Sequence, residues 1–248
     1  MCEPNTRSSL RCVTGSMAYS LVLWGAALLL LGLLIILYAY GLDNYLVSDD
    51  WRFVYQAAKT VSFADIQRFF SFQTAWFVRP IQWLLTVVIY SLSGTKPDLY
   101  HAVSFILDLC NVAWVWKVST ELIKIHESRK NHWMTCGVMA AILFAVNYRH
   151  HEAIFWYSAI SELLVAFFKF LSIYLIMRAF KVSGARQKNL FWGVSVISFV
   201  LALLSKESAA IFPMEIVLIV IFWVASDRSK MESRSFFWIP LPFFVFAL

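Results

Sequence analysis

Two carboxylates stand side by side at Asp49-Asp50, just beyond the first long apolar run. Cationic and acidic side chains then recur in tight groups: Arg79 before Pro80, Lys96 and His101, Arg149-His150-His151-Glu152, Glu162, and Lys206-Glu207. A carboxylate within reach of a hydroxyl is a general base for its attack. Arginine, lysine and histidine donors stabilise a leaving group that carries negative charge, such as a phosphate. Glu152 and Glu162 are carboxylates that accept hydrogen bonds or orient the cations. Singly, each group has a plainer role. Asp49-Asp50 could cap a helix, Arg79-Pro80 could anchor one in lipid headgroups, Arg149 to Glu152 could form an interfacial loop, and Ser205-Lys206-Glu207 could be a self-paired turn. Together they suit a site for an anionic ligand served by a carboxylate base. None of these groups has metal-site spacing such as HExxH. No obligatory metal is therefore expected, cationic side chains standing in for a divalent ion. Cys2, Cys12, Cys110 and Cys136 show no CxxC spacing, so neither a zinc site nor a disulfide framework is expected.

The chain that must position these residues has 248 residues, 60% of them hydrophobic and 15% charged. A soluble domain carries roughly 45–50% apolar and about 25% charged residues. With a mean hydropathy of +0.69, the composition suits several membrane helices of about 20 apolar residues each. The net charge of +6 does not point to nucleic acid, because the basic residues gather in short connections between apolar runs, as topology signals do. The apolar runs cover 19–40, 81–93, 99–123, 133–147, 159–178, 190–204, 209–225 and 236–248. The first is too long for the core of a cleavable signal and reads as a signal-anchor. The last stops inside an apolar stretch, so the chain is expected to be truncated at its C-terminus.

Charge decides whether the short run 81–93 crosses. The connections 124–132, 178–189 and 226–235 are short and basic, and the N-terminal segment carries Arg7 and Arg11. All should be cytoplasmic. If 81–93 crossed, alternation would put the three connections outside; lying on the outer surface, it keeps them inside. The expectation is an all-α polytopic membrane protein of seven spans. Residues 1–18 form a cytoplasmic N-terminus, 19–248 a single transmembrane module, and 41–98 an outer loop. Stretches 50–59 and 62–73 of that loop mix aromatic and polar residues as interfacial helices do, with Ser62 as a cap of the second. The same topology brings every charged group named above to the outer face. His101, Ser104, Asp108 and Asn111 fall on one helix face by their spacing. Asp108 and Lys169 lie near mid-membrane, where a bare charge costs several kcal/mol, and a pair between them is expected.

Five stretches resemble one group of enzymes. Asp49-Asp50 stands after the first membrane helix. Phe77-Val78-Arg79-Pro80-Ile81 resembles an aromatic-x-Arg-Pro-Leu motif. Gly94-Thr-Lys-Pro97-Asp-Leu-Tyr100-His101 with Asn111 resembles Gly-x-x-Pro-x-x-Tyr-His followed by Asn. His150-His151-Glu152-Ala153-Ile154 with Trp156 and Glu162 resembles a His-x-Glu-Ala-Val run, and Leu204-Ser205-Lys206-Glu207 a Leu-Ser-Lys-Glu turn. In order and spacing these resemble the GT-C glycosyltransferases, in the protein O-mannosyltransferase-like branch, closest to the transmembrane-and-tetratricopeptide O-mannosyltransferases and their bacterial relatives. The likeness covers about residues 45–215. It departs at Asn147-Tyr148, where the family often has His-Pro, and at Asp108, where it often has His. The resemblance implies a GT-C-like transmembrane module and transfer of a sugar, mannose in this branch, from a polyprenyl- or dolichyl-phosphate donor to a hydroxyl of a protein or glycan acceptor. Asp49 or Asp50 would be the base, with Asp49 favoured. Arg79, His101, Lys206 and Arg149 would hold the phosphate, Glu152 and Glu162 would bind sugar hydroxyls or orient the cations, and His150 and Glu207 would belong to the same donor-phosphate and substrate site. The reaction would lie on the non-cytoplasmic side of the plasma membrane in a prokaryote, or of the endoplasmic reticulum in a eukaryote. Two other classes share these features: a transporter for a polar lipid, which would favour Gly/Pro-broken helices, and a catalytically silent scaffold or partner subunit.

Overall fold

Pro80 and Pro97 each open a helix, where the missing N–H costs nothing because the first-turn donors lack partners anyway. Between the two helices Gly94 takes φ 61 and donates its N–H to Tyr90 O at 2.8 Å, a left-handed cap that side-chain-bearing residues rarely adopt. The structure, a computed structural model, describes residues 25, 27–36, 38, 40–71, 78–124, 130–226 and 240–247. Every regular element among them is helical. In chain order they are α1 (Ala27–Ile36), a 3-10 turn (Tyr40–Asp43), α2 (Asp50–Lys59), α3 (Phe63–Arg68), α4 (Pro80–Ser93), α5 (Pro97–Ile123), α6 (Lys130–Ala145), α7 (His150–Phe155), a 3-10 turn (Tyr157–Ala159), α8 (Ile160–Lys181), α9 (Ala185–Leu203), a 3-10 turn (Glu207–Ile211), α10 (Phe212–Ser226) and α11 (Leu241–Ala247). The segment 1–18, the connections 125–129 and 227–235, and Phe77 of the aromatic-x-Arg-Pro motif lie outside the described residues.

Among the described residues, two stretches, Pro97–Ile123 and Tyr157–Lys181, are long and apolar enough to cross a membrane. At 1.5 Å per residue, the 14 residues of α4 reach about 21 Å, short of a hydrocarbon layer of roughly 30 Å. Polar side chains share the helix contacts with apolar ones, while large aliphatic side chains also face outward. The contact faces bury Gln82, Thr86, Ser104, Asn111, Ser172 and Ser195, while Leu29, Leu143, Ile197 and Leu218 are exposed. Small and hydroxyl-bearing residues at helix contacts, with aliphatic side chains outward, are the pattern of helices packed in lipid. At the α8–α9 contact, Ser172 and Ser195 hydroxyls lie 2.9 Å apart and each also donates to the other's carbonyl. At the α5–α6 contact, a Cβ on Gly137 would overlap Thr120 Oγ1, so glycine is what lets those backbones approach.

Two apolar clusters hold the rest. One joins α8, α9, α10 and α11 through Ile173, Met177, Phe199, Phe212, Ile216 and Phe243, with the Phe199, Phe212 and Phe243 rings mutually in contact. The other seats α2 and α4 on the start of α8 through Phe53, Val54, Trp83, Tyr100, Tyr157 and Ile160. Trp83 stacks on Phe69 and tilts against Phe53, at centroid distances of 5.5 and 4.5 Å. In the first connection, Ser62 caps α3 in a reciprocal capping box with Asp65, but the helix ends at Arg68 rather than running to 73, and the chain turns at Phe69 and Phe70.

The expected ion pair between Asp108 and Lys169 does not form. Lys169 Nζ lies 2.5 Å from Glu215 Oε1 on α10, and Asp108 Oδ1 lies 3.4 Å from His150 Nδ1. The helices explain the exchange. Lys169 is on the side of α8 that faces α10, with its Nζ 5.5 Å from the Phe212 ring. Asp108 shares the α5 face of His101, Ser104 and Asn111, all four fully or nearly fully buried, and that face meets α7 and the start of α8.

Candidate functional site

The two adjacent carboxylates part company because of the residue before them. Ser48 takes φ 48, a left-handed conformation that costs a side-chain-bearing residue about 1 kcal/mol. It delivers Asp49 to the N-cap position of α2 and Asp50 to its first turn. Asp50 is fully buried. Its Oδ1 accepts from the backbone N and the hydroxyl of Ser158 at 2.7 and 2.6 Å, and its Oδ2 from Val47 N at 3.0 Å. Both oxygens accept hydrogen bonds, so Asp50 fastens the start of α2 to the 3-10 turn before α8. Asp49 is exposed and makes no capping hydrogen bond with its side chain. It opens into a cleft of about 420 Å³.

The N-terminus of α4 forms one wall. Ile81 N donates to Leu204 O at 3.2 Å, tying the Arg-Pro motif to the turn after α9. Arg79 grips Glu207 with two hydrogen bonds, Nη2 to Oε1 at 2.7 Å and Nε to Oε2 at 3.2 Å, the paired geometry that a guanidinium offers to carboxylate or phosphate alike. Burial alone would raise the Glu207 carboxyl. The hydrogen bonds from Arg79 and from its own backbone N–H, with the charges of Arg79 and Lys206, outweigh that and hold it below its ordinary range. On the same turn Lys206 Nζ lies 2.5 Å from Glu162 Oε1, which joins the turn to the first coil of α8.

The facing wall is the connection between α6 and α8. Arg149 N donates to Asn147 Oδ1 at 3.1 Å, and its guanidinium lies 6.0 Å from the Tyr148 ring. The His150 ring meets the Phe144 ring edge-on at a centroid distance of 4.3 Å. Glu152 reaches the rim, and Trp156 and Trp83 supply flat apolar surface. Asn111 donates to Leu163 O at 3.0 Å and forms part of the floor.

Seven of the ten residues singled out from the sequence therefore line one cleft: Asp49, Arg79, Arg149, His150, Glu152, Glu162 and Lys206. Three do not. Asp50 is a buried anchor. Glu207 stands behind Arg79 as its partner. His101 is buried within the α5 face and does not reach the cleft; neither of its ring nitrogens has a hydrogen-bond partner. The spacing from Pro97 puts His101 on α5, but packing turns that face inward, and His101, Ser104 and Asp108 are all buried there. Sequence reading missed Arg52, which lines the cleft beside Asp49. Its position three residues on from Asp49, on the same helix face, was the available signal. It also missed Ser158, whose role depends on a contact 108 residues away.

Arg52, Arg79, Arg149 and Lys206 meet Asp49, Glu152 and Glu162 in the cleft, and with Glu207 on Arg79 the cations and carboxylates balance four to four. Comparison with protein-family models, with curated proteins and with solved structures finds no match.

Proposed function

We propose that this chain is a seven-span membrane glycosyltransferase that moves a sugar from a polyprenyl- or dolichyl-phosphate donor to a hydroxyl on a protein or glycan, on the non-cytoplasmic side. The observation that carries the reading is the meeting of Asp49 with Arg79, Arg149 and Lys206 in one cleft of about 420 Å³, within the range of small-molecule sites. Asp49 takes the proton of the acceptor hydroxyl. The hydroxyl oxygen bonds to the anomeric carbon as the bond from that carbon to the phosphate oxygen breaks. The lipid phosphate leaves with the electron pair, and Arg79, Lys206 and Arg149 neutralise it. Glu207 and Glu162 hold Arg79 and Lys206 in place while the donor is absent, and the phosphate exchanges with them. Glu152, and Glu162 once released, accept from sugar hydroxyls. Exposed aliphatic side chains, two helices of spanning length and the basic connections support placement in a membrane, with α4 lying flat on the outer surface. The membrane would be the plasma membrane in a prokaryote and the endoplasmic reticulum in a eukaryote.

The test is to incubate the purified protein with radiolabelled polyprenyl-phosphate sugars, in detergent and in liposomes, and follow the label from lipid to acceptor. Transfer that Asp49→Asn abolishes supports the reading. A folded protein that neither binds nor consumes any lipid-linked sugar would be a scaffold or partner subunit.

A further inference from the structure

His150 stands among the cations of the cleft, yet its surroundings suit a different task. Asp108, fully buried on α5, turns Oδ1 to within 3.4 Å of His150 Nδ1. Neither carboxylate oxygen has a hydrogen-bond donor otherwise, and Nδ1 is itself buried without another partner. Unmet polar atoms in such a setting are costly, and the cheapest remedy is a proton on Nδ1 pointed at Asp108. The distance is long for a hydrogen bond, as such contacts often are before substrate binds. The Phe144 ring, edge-on at 4.3 Å, limits rotation of the imidazole. Nε2 is on the opposite side of the ring, and it is not among the buried unpartnered atoms of this residue that lines the cleft.

The hydrogen bond made by one ring nitrogen sets what the other can do. An uncharged imidazole that donates from Nδ1 keeps a lone pair on Nε2, which accepts a proton or hydrogen bond and gives none. We infer that Asp108 is a positioning residue that fixes His150 in its Nδ1–H form, so that Nε2 receives a hydroxyl of the bound sugar or acceptor rather than the donor phosphate. The hydroxyl-binding role rests on the cleft being the transfer site; the fixed tautomer does not.

The tautomer is read without substrate. The protein has five histidines, so nitrogen-15 spectra of histidine-labelled protein in detergent can be assigned by difference with His150→Gln. At alkaline pH, about 9 and above ordinary imidazole titration, His150 should carry its proton on Nδ1. Asp108→Asn, whose amide oxygen still accepts, should preserve that form, and Asp108→Leu should release it to Nε2. A parent protein with the proton on Nε2 overturns the inference whether or not either variant folds. Turnover tests the role. His150→Lys supplies a cation and no acceptor, whereas His150→Gln supplies an acceptor. The Gln variant should retain about tenfold more turnover than the Lys variant, and the reverse order would make His150 a phosphate ligand. Donor hydrolysis without acceptor identifies the hydroxyl: a sugar contact slows hydrolysis and transfer alike, an acceptor contact slows transfer alone. Absence of turnover in the parent sinks the transferase reading and leaves the tautomer result standing.

Discussion

Ser158 donates both its backbone N–H and its hydroxyl to a single oxygen of Asp50, at 2.7 and 2.6 Å, across 108 positions of chain. This one carboxylate ties the start of α2, which carries Asp49, to the turn that leads into the helix of Glu162. It also separates the roles of two adjacent residues that no local pattern distinguishes.

The acidic pair should accordingly respond in opposite ways to the same substitution. Asp50→Asn can still offer one oxygen to Ser158, but its amide NH₂ then faces the Val47 N–H that Oδ2 accepts at 3.0 Å. Losing a charge-assisted bond and leaving that donor unmet should cost about 2 kcal/mol. Asp49→Asn breaks no hydrogen bond of the fold and should leave stability unchanged while lowering turnover by on the order of 100-fold. Thermal unfolding in detergent and sugar transfer by each variant check this. Wild-type turnover in a folded Asp49→Asn protein removes Asp49 as the base.

Membrane topology is open to direct measurement. Cysteines placed near residues 90 and 150 should react with an impermeant thiol reagent from the outer side. Those near 128, 183 and 230 should react only after the membrane is opened. Outside labelling near 128 would make α4 a true span and move the three basic connections to the other side.

Lys169 and Glu215 offer a double-mutant cycle inside the bundle. Their 2.5 Å contact is part-buried, so removing one charge strands the other. Lys169→Met or Glu215→Gln alone should lower folded yield more than the two together. Purely additive effects would mean that the groups do not interact.

The Arg79–Glu207 grip predicts an acid response. The folded Glu207 carboxyl titrates below its ordinary value of 4.5. A lowered folded value contributes stability that is fully present above the unfolded value and is lost as pH falls through the folded one. Parent and Glu207→Gln should therefore differ by a constant amount above about pH 4.5, with the parent more stable, and the difference should shrink toward zero below it. The pair is largely solvent-facing, since 59% of the Glu207 side chain is exposed, so the effect should be small and should weaken in high salt. A gap that stays constant into strong acid would exclude Glu207 as its source.

The helical architecture and most of the cleft residues are legible in the order of the residues. Apolar runs of helical length, prolines at helix starts and Ser62 three residues before Asp65 are local signals, because helices and caps are made by residues a few positions apart. The charged groups between the runs were expected to cluster because alternate crossing would put alternate connections on one face. Only the tertiary structure decided which member of each pair does what. Asp49 and Asp50 are chemically equivalent in the chain, and a distant serine buries one of them. Asp108 could have met Lys169 by depth alone, but helix rotation about its axis sends Lys169 to Glu215 and Asp108 to His150. His101 lay in a motif that pointed to the site, and helix packing buries it on α5, out of the cleft. Rotation and overlay of helices depend on contacts far apart in sequence, and hydropathy and charge counts carry no information about them.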